Sequence, residues 1–181
     1  MLHVTIPASE FFDDKTGMFY NTKETNLQLE HSLVSLSKWE SKWHKPFFSR
    51  DQRTNEEMLD YIRCMTLTQN VNPDVYLNIP SNVLEQIHQY IEDPMTATWF
   101  NKRQENQSPN REQVTAELIY YWMITLNIPF ECQKWHLNRL LTLIQVCDIK
   151  NTPPKKRGKK EMYDSRTALN NARRAKYGTR G

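Results

Sequence analysis

Cys132 and His136 stand four residues apart, with Cys147 further along the chain. A structural zinc site needs a fourth ligand and usually a closely spaced cysteine pair, and neither is visible. A Cys/His nucleophile pair needs an orienting Asn or Asp and an oxyanion device, which the spacing does not imply. His136 is therefore expected to hydrogen-bond at a turn, and Cys147 to pack as a small hydrophobe. The adjacent acids Asp13-Asp14, Glu56-Glu57 and Glu92-Asp93 fall at turns and caps, where local geometry explains them. Only four glycines (Gly17, Gly158, Gly178, Gly181) occur, and no glycine-rich phosphate loop can be assembled from them. No catalytic group, cofactor or metal is expected, and the chain does not read as an enzyme.

The residues suited to binding are aromatic or basic. Trp39 and Trp43, at i,i+4, share one helix face with His31, Glu40 and His44 nearby. That face reads either as a platform for a partner or as a core edge sealed by two indoles; the burial tendency of tryptophan favours the second. Trp99, Phe100, Tyr121, Trp122 and Trp135 complete the candidate aromatic surface. The basic candidates are Lys155, Lys156, Arg157, Lys159, Lys160, Arg173, Arg174 and Lys176. Net charge is +3 overall, but residues 150–181 hold eleven Lys/Arg against two acids, a net of +9, which leaves −6 on the rest. Such a split points to self-association between copies or to an external anion.

The elements that must position these residues follow from periodicity. Residues 111–151 (REQVTAELIYYWMITLNIPFECQKWHLNRLLTLIQVCDIKN) read as two antiparallel helices, an αα-hairpin broken at Asn127-Ile128-Pro129. The first of them is apolar almost all round and is expected to be buried on several sides. This hairpin is the expected centre of the fold. Leu2, Val4 and Ile6 alternate as a strand stopped by Pro7. Phe11-Phe12 and Met18-Phe19-Tyr20 flank Asp13–Gly17, giving a β-hairpin or an extended arm with docked aromatics. A long helix is expected from Leu27 to Trp43, capped by Thr25 and Gln28 and ended by Pro46. A second starts at Thr54 with Glu57 as its box partner; a third is capped by Ser81. Residues 101–110 read as a surface loop.

The fold class is thus mainly α: one helical domain, 1–151, and a basic flexible or helical tail, 152–181. The Pro-Pro and lysine-rich start of that tail reads as a linker. No apolar run approaches the roughly 20 residues needed to span a bilayer. MLHVTIPASEFF lacks the basic and apolar regions of a secretory signal. Three cysteines, an odd count, fit free thiols in a reducing compartment.

Several segments together, LQLEHSLVSLSKWESKWHKPF, LDYIRCMT, DPMTATWF, TAELIYYWMITLNIPFECQKWHLNRLLTLI and ALNNARRAKYGTRG, resemble a family from the structural-gene region of long-tailed bacteriophages. Its members are tail assembly chaperones or tail-associated virion proteins. The resemblance covers most of the chain as a pattern of packing residues without a catalytic motif. It implies a mostly helical protein that binds the long tape-measure protein and keeps it soluble while tail-tube subunits polymerise around it. It also implies work in the host cytoplasm, with or without retention in the virion, and in many members a frameshift-extended form. Two other readings stand beside it: a nucleic-acid-binding accessory protein acting through the basic tail, and a structural virion subunit.

Overall fold

A computed structural model describes residues 1–13, 17–49, 53–100, 113–152 and 159–178. Among these residues the chain is mostly helical, with four strands in its N-terminal part. It separates into two compact units, Met1–Asp148 and Ile149–Gly181, against a sequence-read boundary after Asn151.

The N-terminal strands form a ribbon. β1 (Leu2–Ile6) pairs antiparallel with β4 (Thr25–Leu29), and β2 (Ser9–Asp13) with β3 (Met18–Thr22). The register runs without an inserted residue from Leu2↔Leu29 through to Asp13↔Met18. The ladder breaks at Pro7, which has no N–H to donate. The face that is buried changes across this break. In β1–β4 it is Val4, Ile6, Leu27 and Leu29; in β2–β3 it is the other face, where Thr22 is buried and bonded to Ser9 at 2.9 Å. Phe12 and Phe19, in register with the core residues, are consequently turned outward.

Thr25–Leu29 corrects the expected long helix, which begins instead at Leu33. Leu27 and Leu29 alternate with Asn26 and Gln28, and strand pairing satisfies that period while burying both leucines. The opposite edge of β4 is also paired: Leu67 N–H donates to Gln28 O (2.8 Å) and Glu30 N–H to Met65 O (2.9 Å). α1 (Leu33–Trp43) is capped by Ser32 with Ser35, not by Thr25 with Gln28. Its buried stripe is Leu33, Leu36, Trp39 and Glu40.

α2 (Asn55–Met65) starts at the expected capping box. Thr54 Oγ1 accepts from Glu57 N–H at 3.2 Å, and Glu57 Oε2 accepts from Thr54 N–H at 2.9 Å. Thr54→Ala is expected to cost about 1 kcal/mol of stability, measured by urea denaturation; an unchanged midpoint would remove the box from the account of this helix. A 3-10 helix, Pro73–Asn78, buries Val75 and Tyr76. α3 (Ser81–Glu92) has Pro80 at its N-cap, and Ser81, expected as the cap, is its first helical residue. Then come α4 (Ala116–Thr125), a 3-10 helix (Phe130–Lys134), α5 (Leu137–Asn151) and α6 (Lys159–Tyr177).

The helix against which α2, α4 and the second 3-10 helix pack is α1. Glu40 explains part of this centrality. Its buried carboxylate accepts from Phe47 N–H and from Ala116 N–H, both at 2.7 Å, and so holds the start of α4, where the helix dipole favours negative charge. Residues 101–110 and 153–158, read as a loop and a linker, lie outside the described residues.

Candidate docking surface

α4 is the most apolar helix among the described residues, and its sequence predicts burial on several sides. It buries one: Ala116, Ile119 and Met123 face inward. At about 3.6 residues per turn, Glu117, Tyr121 and Ile124 share the opposite face. Tyr121 and Ile124 are each 59% exposed, while Leu118, Tyr120 and Trp122 are half-buried on the flanks. α1 packs against α4, with its Glu40 carboxylate holding Ala116 on the buried side.

The end of α4 is built to present the next residues. Asn127 takes a left-handed φ of 53°, which asparagine tolerates better than most residues. Its N–H donates to Ile124 O at 3.2 Å, and Ile128 N–H donates to Met123 O at 2.8 Å. These two bonds, with Ile128 and Met123 both buried, form a Schellman stop. Pro129 then leads into the 3-10 helix, which leaves Phe130 exposed with its ring 6.4 Å from that of Tyr120. The Tyr120 hydroxyl donates to Gln133 Oε1 at 2.9 Å, tying the two elements together. Tyr121, Ile124 and Phe130 are thus exposed apolar groups on helical, hydrogen-bonded backbone.

The other sequence-selected aromatics are dispersed. Trp39 is 1% exposed, and its indole N–H donates to Glu57 O at 2.8 Å, so it belongs to the core and is withdrawn from the candidate surface. Trp43, its ring 6.3 Å away, is half-buried and donates to Asp60 Oδ2 at 2.9 Å. Trp99 is 76% exposed in the non-helical segment after Pro94; Phe100 is half-buried. Trp135 is half-buried under the Arg139 guanidinium, 4.4 Å from the ring centre. Among the described residues, no ring contact joins Trp99, Phe100, Tyr121 or Trp135 to one another. Ile124 and Phe130 are not among the sequence-selected residues, while Phe12 and Phe19, expected to be covered because of their apolarity, are instead exposed as a pair with ring centres 4.8 Å apart. The signal that finds Ile124 is α4's uniform apolarity, since a helix apolar all round exposes apolar groups wherever its neighbours do not surround it.

Titratable groups cluster in the interior instead. His31 Nδ1 lies 2.5 Å from the Tyr61 hydroxyl, and the His31 and His136 rings meet edge-on at 5.0 Å. Burial above all, then the charges of His136 and Arg53, holds His31 down at about 3. Burial likewise lowers His136, whose Nε2–H donates to Tyr90 O at 2.9 Å. Its Nδ1 is buried without a hydrogen-bond partner among the described residues. His136 therefore bonds into the core by α3 and not merely at a turn. Cys132 is buried and Cys147 half-buried, both free thiols, and burial raises the Cys132 thiol. No cluster of three or more His, Cys, Asp or Glu side chains poised around a metal occurs among the described residues.

Of the basic candidates, Lys155, Lys156 and Arg157 lie outside the described residues; Lys159 and Lys160 begin the backbone of α6; Arg173, Arg174 and Lys176 are exposed on it. No helix among the described residues is long and apolar enough to cross a membrane. No family model, curated protein or solved structure matches the chain.

Proposed function

We propose that the chain is a non-enzymatic morphogenesis protein of a long-tailed bacteriophage, a tail assembly chaperone acting in the host cytoplasm. Its client is the tape-measure protein, and α4 with the 3-10 helix that follows it is the scaffold of the binding surface. The observation that carries the reading is the outward side of α4, where Tyr121 and Ile124 stand exposed on a helix whose other side is core. A long helical client is recognised by laying its apolar stripe on such a face. Tyrosine suits a boundary that is wet before binding and dry after it, because it pairs an apolar ring with a polar tip.

The test is co-expression with the tape-measure protein, following client solubility beside thermal unfolding of the chaperone. Tyr121→Ala and Ile124→Ala are expected to change stability by no more than about 0.5 kcal/mol, as exposed positions do. Both should sharply reduce soluble, co-purifying client. Client solubility unchanged in both variants would remove α4 from the binding surface and leave Trp43 and Trp99 to be tried next. Binding should survive moderate salt, since apolar burial is not screened.

A further inference from the structure

The C-terminal unit carries a surface of different chemistry. Residues 163–178 of α6 and its stop are exposed throughout. At about 3.6 residues per turn, Tyr163, Arg166, Asn170, Arg173, Arg174 and Tyr177 fall on one face, over about 21 Å of axis. Ala168, Ala172 and Ala175 fall on the other, with Leu169 beside them. Lys176 lies off the arginine face, its ammonium 5.7 Å from the Tyr177 ring centre. None of the three arginines takes part in an ion pair among the described residues.

We infer that this face of α6 binds the phosphate backbone of nucleic acid without regard to sequence. Guanidinium groups present paired N–H donors that match phosphate oxygens, and three of them on one face give repeated contacts. The tyrosines at either end add rings and hydroxyls suited to bases and phosphates. The net +9 of residues 150–181 supplies the counterion release that drives such binding. A bare helix also fits the major groove, about 12 Å wide, where phosphates line both sides. A lipid surface is the poorer match, because an interfacial helix needs large apolar residues where α6 has alanines. The inference is independent of the role given to α4.

The experiment titrates the full-length protein into fluorescently labelled duplex DNA of about 20 base pairs, at salt between about 50 and 200 mM. Binding should weaken steeply with salt, by about 0.9 log unit per log unit of salt for each phosphate engaged. The triple variant R166Q/R173Q/R174Q should lose at least about tenfold in affinity and show a slope shallower by about 2–3. The corresponding triple lysine variant, which keeps the charge, should retain the slope, and Ala172→Gln on the opposite face should behave as the parent. Circular dichroism and thermal unfolding accompany each variant. An unaltered slope in the glutamine variant, or loss of binding in the lysine variant as well, would overturn the assignment. So would poly-glutamate or phosphatidylserine vesicles competing as well as unlabelled duplex.

Discussion

Trp39→Ala is expected to lower the stability of the Met1–Asp148 unit by about 3–5 kcal/mol, the cost of removing a large buried ring and leaving its cavity. The indole is 1% exposed and meets Phe47 and Tyr61 edge-on at 5.3 and 6.5 Å. It also donates to Glu57 O, at the start of α2, so the truncation opens the α1–α2 contact and removes a hydrogen bond across it together. Trp39→Phe should cost less, since it restores most of the ring and loses the N–H. Urea denaturation gives both values. A cost below about 1 kcal/mol for the alanine variant would mean that the aromatic cluster is not the core of this unit.

Acid should unfold the same unit through its interior histidines. His31 stands at about 3 in the folded chain, against 6.5 for an unperturbed histidine. Between those limits the unfolded chain holds a proton that the native chain does not, so stability is constant above about pH 6.5 and falls as pH drops below it. Carried through to pH 3, that gap amounts to about 4–5 kcal/mol from His31 alone. His136 is depressed too and acts in the same direction. Glu40, raised by burial, acts in the opposite one, gaining its proton first in the native state. The groups around the pair are Tyr61, Arg53, Tyr90 and Glu30, with Glu30 also bonded to the N-terminal ammonium at 3.0 Å. Denaturation curves taken from pH 7 to pH 4, as rough end points, should show the decline, and His31→Gln should flatten it. A parent protein equally stable across that range, or a variant with the same slope, would contradict the account.

Features contained in a short stretch of chain were legible from residues alone. The β2–β3 hairpin is one in part: its turn chemistry and apolar cross-strand pairs lie within a few residues of each other, which offered the hairpin beside an extended arm. The start of α2 is another, since a capping box needs only Thr54 and Glu57. The end of α4 at Asn127 and Pro129 and the division of charge between the two ends of the chain are of the same kind. Tertiary contacts decided what these local signals could not. Leu29, Leu33 and Leu36 suit a helical period, while Leu27 and Leu29 suit a strand; β1 and residues 65–68, remote in sequence, supplied the ladder that made Thr25–Leu29 a strand. Trp39 and Trp43 share a helix face, yet Glu57 O draws the first indole inside while Asp60 holds the second at the boundary. For α4, residues apolar on every side carry no amphipathic signal from which to choose a buried face. That choice fell to α1 and the Glu40 carboxylate, which cover Ala116, Ile119 and Met123 and leave Tyr121 and Ile124 in solvent.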